Sequence, residues 1–255
     1  TVLQPKDQLR VHVTEKKTSD QIVPVPMDLS VVFEDEHVLV IDKPAGMPVH
    51  PSQGHYENTL ANGIAWYYRN EATPFVFRAV NRLDRDTSGL VLLAKNPYSS
   101  CVLSDAVKDH TIHREYAAIV SGKTDASGTI DLPIARKDGS TIERVCDPER
   151  GETAVTHYRT FAYNKDADIS FIRLLLETGR THQIRVHMKA IGHPLPGDFL
   201  YCPDYRFIDR QPLHSTYLRF SHPVTGEKLE FSASLPEDMR KLFPDIKNPS
   251  GPVFF

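Results

Sequence analysis

The chain has 255 residues, 40% of them hydrophobic and 25% charged, with a formal net charge of −3. That suffices for one large core with room for a small appendage. No run of eighteen apolar residues occurs, so no membrane-spanning helix is expected. The near-neutral balance argues against an indiscriminate polycationic coat for nucleic acid, although a local basic groove stays open.

Cys101, Cys146 and Cys202 are isolated thiols without metal-ligand spacing, which fits a reducing, cytoplasmic setting and no disulfide framework. Twelve histidines invite a metal hypothesis. His182 and His187 are five apart rather than the four that aligns helical ligands, so no metal is expected.

Residues 1–30 are polar, with proline at 5, 24 and 26. Only Leu9-Arg10-Val11-His12-Val13 alternates like a strand, and Val23-Pro24-Val25-Pro26 has extended linker composition. The stretch reads as a tether. The chain opens on Thr1 without a signal-peptide pattern, and the expectation is a fragment of something longer.

Val31–Phe33 and Val38–Ile41 read as strands around the acidic turn Glu34-Asp35-Glu36. The loop Asp42-Lys43-Pro44-Ala45-Gly46-Met47-Pro48-Val49-His50-Pro51 follows, punctuated by Pro and Gly. Leu60, Ile64, Tyr67 and Tyr68 lie at i, i+4, i+7 and i+8, which predicts an amphipathic helix over residues 58–68.

In Asn81-Arg82-Leu83-Asp84-Arg85-Asp86-Thr87-Ser88-Gly89-Leu90, acidic and basic residues alternate before a tight turn and the apolar run Val91–Ala94. Gly89 is expected where φ is positive or another backbone comes close. A carboxylate among arginines on such a loop suits a nucleophile or base, and equally a surface ion-pair network. A calcium loop fails because Lys95 occupies its twelfth position. A kinase catalytic loop fails for want of a Gly-rich loop and a DFG motif. Paired carboxylates for glycoside chemistry remain open, with Asp84 attacking or supporting a sugar carbon.

Ser99 or Ser100 is positioned to cap a short helix burying Val102, Leu103, Ala106 and Val107. Arg114–Val120 reads as a strand, in which Tyr116 is ordinary packing. Residues 121–152 are turn-rich and charged, a variable hairpin region with Arg136, Lys137 and Arg144 as candidate phosphate contacts. Ala154–Phe161 and Ser170–Leu176 are further strands. In Glu177-Thr178-Gly179-Arg180-Thr181-His182-Gln183-Ile184-Arg185-Val186-His187-Met188, Thr178 or Thr181 is expected to cap a helix with the stripe Ile184, Met188 and Ile191. Its cationic face, His182, Arg185 and Lys189, suits anions. Leu213–Phe220 and Leu229–Ala233 form a hairpin, residues 236–243 a last helix, and residues 246–255 a tail.

Several strings together carry a resemblance. Arg82-Leu83-Asp84-Arg85-Asp86-Thr87-Ser88-Gly89 resembles the HRLDRxTSG signature of RluA-type pseudouridine synthases, with Asn81 where His is usual. Lys43–Pro51 resembles the family's KPAG…VHP segment, and Arg114–Ala118 its KxYxA strand with Arg in the Lys position. Leu176–His187 matches LETGRTHQIRVH, and His193–Tyr201 resembles HPIxGDxLYG. The likeness covers roughly residues 30–245.

The resemblance implies an α+β catalytic domain over residues 31–245, with a bent, mixed, mostly antiparallel sheet and a central cleft flanked by helices and loops. It also suggests that residues 1–30 are what is left of an upstream alpha-L RNA-binding module. The implied activity is cofactor-free isomerisation of uridine in ribosomal or transfer RNA by a monomer, after the base is flipped out. Asp84 would carry the chemistry, Arg185 would pair with it, and Tyr116 would stack on the uracil and assist removal of its C5 proton. Lys43, His50, Arg82, Arg85, Arg180, His182 and Gln183 would contact RNA. The alternatives are a catalytically silent RNA-binding module of the same fold, and a glycosidase or nucleosidase releasing free base.

Overall fold

A computed structural model describes residues 4, 6–8, 19, 22–70, 75–246 and 251–254. The alternating stretch at residues 9–13 lies outside the described residues.

Among the described residues, eleven strands and four helices follow one another. The strands are β1 (Ser30–Glu34), β2 (Val38–Lys43), β3 (Ser88–Ala94), β4 (His113–Ser121), β5 (Ser127–Asp131), β6 (Ile134–Arg136), β7 (Arg144–Cys146), β8 (Val155–Asn164), β9 (Ile169–Leu176), β10 (Leu213–Ser221) and β11 (Lys228–Ser232). The helices are α1 (Leu60–Tyr67), α2 (Pro97–Lys108), α3 (Gln183–Ala190) and α4 (Glu237–Leu242). Nine strands form one sheet in the order β1-β2-β3-β10-β4-β9-β8-β5, with β11 added on β10, while β6 and β7 pair separately. Every pairing in the large sheet is antiparallel except β3 with β10. The architecture is therefore α+β around a mixed, mostly antiparallel sheet.

Alternation along the central strands assigns the two faces. Leu39, Ile41, Val91, Leu93, Tyr116, Ala118, Ile172 and Leu174 bury one side with Leu60, Ala61 and Ile64 of α1 and Ile184 and Met188 of α3. On the other side, Val38, Val40, Leu90 and Leu92 pack with Leu103 of α2, and Ala117, Ile119 and Phe171 with Met239 of α4. Because β3 is covered on both faces it is buried throughout, which explains its unbroken apolar run.

Local chemistry sets the helix ends. Asn96, rather than Ser99 or Ser100, caps α2: its side chain accepts from the Ser99 amide at 2.9 Å, and Pro97 occupies the first turn. Thr59 caps α1 in a capping box with Asn62. Where it is described, the expected tether is attached to α1: Val25 N donates to Asn62 O at 3.1 Å, and Asn62 Nδ2 donates to Val23 O at 2.8 Å. At the other end, Val253 N donates to the Glu115 carboxylate at 2.8 Å, fastening the tail to the sheet. No helix among the described residues is long and apolar enough to cross a membrane.

Candidate active site

The loop before β3 is held from beneath. Asn81 is buried, its Nδ2 donates to Leu90 O at 3.2 Å, and its Oδ1 accepts from Leu92 N at 2.7 Å. The residue in the usual His position thus serves as a backbone clip, a task that an amide fulfils without titrating. Thr87 N closes a turn on Asp84 O at 3.1 Å. Lys43 is fully buried, and its Nζ donates to Pro44 O, Met47 O and Arg85 O at 2.8, 2.8 and 3.1 Å. Burial drives this ammonium down to about 7, against the pull of Asp86 and Asp84. Expected to contact RNA, Lys43 instead supports the aspartate loop, and its amino group faces no open surface.

Asp84, on that loop, keeps 27% of its side chain exposed and accepts from Arg185 Nη1 at 2.8 Å. Arg185 comes from α3 and is only 2% exposed. Its other edge donates in bidentate fashion to Asp198, from Nε at 2.6 Å and from Nη2 at 2.8 Å. Asp198 is itself fully buried, and it also accepts from the amides of Leu200 and Tyr201 at 3.0 and 3.1 Å. Burial opposes the Arg185 charge, but the bonds to Asp198 and Asp84 overcome it and hold the guanidinium above its ordinary value. One arginine therefore bridges a dry carboxylate and a cleft-facing one.

The helix that carries Arg185 begins differently from expectation. Neither Thr178 nor Thr181 caps it; His182 takes the cap position in the left-handed region, at φ 59°, without a side-chain cap bond. The preceding loop is stapled by Gln183, whose Oε1 accepts from Thr178 Oγ1 at 2.8 Å and from Arg180 N at 2.9 Å. Gln183 Nε2 donates to Val155 O and Thr156 Oγ1, each at 3.0 Å. Its amide is thus committed inside the protein, although it had been expected to contact RNA. The His182 ring sits with Nδ1 2.9 Å from the Tyr201 hydroxyl and Nε2 3.9 Å from Asp84 Oδ1. Burial pushes the imidazole below its ordinary value, with Asp84 pulling the other way.

These groups line an open cleft of about 700 Å³. Asp84, Tyr116, His182, Arg185, His50, Arg82 and Arg180 all border it, whereas Lys43 and Arg85 do not. Tyr116 is buried at the cleft wall, and burial raises its phenol above the ordinary value, so it stays neutral near pH 7. Arg82 is exposed, and His50 packs its ring edge-on against Phe77 at 4.6 Å. Arg180 donates to Thr153 O at 3.0 Å and pairs with Glu152 at the rim. Arg85 pairs with Asp86 at 2.8 Å and lies 5.7 Å from the exposed ring of Phe199. Sequence reasoning left Asp198 and Tyr201 without a role. The available signal was an acidic residue after Gly197 in a Pro- and Gly-rich loop, together with the need of a buried arginine for a second anion.

Comparison with known proteins converges on one family. The family model described as RNA pseudouridylate synthase matches residues 37–190, more than half of the chain. An uncharacterized RNA pseudouridine synthase of Bacillus subtilis, YjbO, is 45% identical over 94% of this chain and 84% of its own length. The ribosomal large subunit pseudouridine synthase D of Zymomonas mobilis is 42% identical over 86% of this chain and 73% of its own length. Among solved structures, human RNA pseudouridylate synthase domain containing 1 superposes with a TM-score of 0.67 at 23% identity, over 88% of this chain and 97% of that one. The chain belongs to the RNA pseudouridylate synthase family.

Proposed function

We propose that the cleft isomerises uridine to pseudouridine in ribosomal RNA, with Asp84 as the reacting carboxylate. The reaction breaks the bond from ribose C1′ to uracil N1, turns the base, and joins C1′ to C5. C5 loses its proton and N1 gains one, so atoms and electrons balance without a co-reactant.

The observation that carries the reading is the division of labour around Arg185. Its buried edge is locked to Asp198, and its remaining nitrogen holds Asp84 with part of the carboxylate free in the cleft. Whether that carboxylate attacks C1′ or removes a sugar proton, it must meet the ribose at a fixed angle, and this clamp supplies the angle. A stacked uridine is out of reach, so the base is flipped into the cleft. There the neutral Tyr116 ring packs on the uracil and its hydroxyl assists proton removal from C5. His50, Arg82, Arg180 and His182 border the path of the strand.

Ribosomal RNA is favoured over transfer RNA by the relatives named as large-subunit synthases. Three isolated cysteines fit a cytoplasmic setting. The test is incubation with unmodified large-subunit ribosomal RNA or with transfer RNA, followed by nucleoside separation. Pseudouridine in the first supports the proposal. Pseudouridine only in the second moves the substrate, free uracil indicates a glycosidase, and no change leaves an RNA-binding module.

A further inference from the structure

Strand β4 points alternate residues to opposite faces. Glu115 turns away from the cleft and pairs with Arg173 at 2.6 Å, both buried. Arg114 and Tyr116 share the other face, and both line the cleft. Arg114 is 8% exposed, yet among the described residues its guanidinium has neither a hydrogen bond nor an ion pair, and its Nε is buried without a partner. The contrast with the other buried cations is sharp. Arg173 has Glu115, Arg185 has two carboxylates, and Lys43 has three carbonyls. A buried, unpaired charge is costly, and it is tolerated where a ligand completes it.

The surroundings say which ligand. Gly179 faces the fork: a Cβ there would lie 3.3 Å from Nη1 and 3.5 Å from Nη2. The missing side chain leaves both nitrogens open to the cleft. Arg82, Lys108, Arg180 and Arg185 also border the cleft, against only Asp84 and Glu177 among the acids. A planar fork of two free N–H edges in a cationic surround matches two oxygens of a phosphodiester. A uracil carbonyl would leave the charge unneutralised.

We infer that Arg114 is a phosphate-binding residue that clamps an RNA backbone phosphate next to the flipped nucleotide, an assignment that rests on the reading of this cleft as the RNA site. The clamp sits two residues along β4 from Tyr116, so base and backbone would be fixed by one rigid strand.

The experiment uses the whole chain, the variants Arg114→Met and Arg114→Lys, and a uridine decamer. In it each phosphate is replaced in turn by a neutral methylphosphonate. One replacement should weaken wild-type binding roughly tenfold or more and leave Arg114→Met unaffected. The log–log salt dependence of Arg114→Met should be shallower by about 0.7, one single-strand phosphate contact, whereas Arg114→Lys should keep the slope with weaker binding. Thermal stability of Arg114→Met should not fall, since no partner is orphaned. Early melting with an unchanged salt slope would make Arg114 structural and overturn the assignment. Should inorganic phosphate protect wild type from heat while no methylphosphonate position matters, the anion is free phosphate and the backbone clamp is wrong. Pseudouridine formation by wild type with no Arg114-dependent phosphate sinks the clamp and leaves the activity standing. The converse result, a clamp without pseudouridine on any RNA, leaves the clamp and sinks the activity.

Discussion

A Cβ placed on Gly89 would stand 2.3 Å from the carbonyl oxygen of Ser215 and 2.6 Å from its nitrogen. The two residues are partners in the parallel β3–β10 contact, and Ser215 is in turn the partner of Tyr116 across β10 and β4. Gly89, Ser215 and Tyr116 therefore form one row across three strands. The close approach within that row sets how far the aspartate loop, just before β3, stands from the tyrosine wall of the cleft.

Gly89→Ala should be among the most damaging single changes in the chain. Its φ of +108° strains any side chain, and the atoms a methyl would meet are backbone that cannot rotate away. The expected loss exceeds about 4 kcal/mol, and urea unfolding would measure it. Near-wild-type stability would mean that the two strands separate without penalty.

Asp84→Asn should lower the single-turnover rate on the order of 10⁴-fold or more while the fold and RNA affinity hold. Arg185 keeps its two bonds to Asp198, so no buried charge is orphaned. Turnover near wild type would shift the chemistry to another carboxylate, Asp86 first.

Asp198→Ala should cost about 3–5 kcal/mol, because Arg185 loses its fully buried partner and two backbone amides lose their acceptor. Activity should fall further than folding explains, since the arginine that aims Asp84 is then held at one end only. Asp198→Asn, which keeps the acceptor oxygen, should recover part of the stability. Equal turnover per folded molecule in all three proteins would show that Asp84 needs no aiming.

Some of this arrangement was legible in the residues because local chemistry demands it. Gly89 sits between small turn formers and an apolar strand, and both readings offered for it, positive φ and close backbone, are found. The contact of Asp84 with Arg185 was implied by the resemblance rather than by charge alone, and it is found. Residue type does not reveal burial, however. Lys43 and Gln183 look like ordinary RNA-facing groups, yet each satisfies several partners inside the protein. Nor could Thr178 and Thr181 be ruled out as caps, because the rival staple by Gln183 depends on β8 lying alongside. Asp198 was missed for the same reason: its meaning lies in a contact thirteen residues back on α3.

Stability should also fall steeply in mild acid, and the cause is His214. Buried at the seam of β3 and β10, its Nδ1 lies 2.9 Å from Ser88 Oγ, and burial pushes the imidazole down to about 4. In the unfolded chain a histidine titrates near ~6.5. Between those values the unfolded state takes up a proton that the folded state refuses, so acid draws the equilibrium toward unfolding. The stabilisation is complete above about pH 6.5 and is lost as pH falls toward about 4. At about 1.4 kcal/mol per pH unit this amounts to roughly 3 kcal/mol. His182 and His187, also lowered by burial, add in the same direction. Urea unfolding of wild type and His214→Gln across this range provides the measurement. The variant starts less stable, but its stability should fall with a distinctly shallower slope as pH drops. Parallel slopes for the two proteins would mean that His214 takes up its proton in the folded sheet, and that the seam between β3 and β10 is open to water.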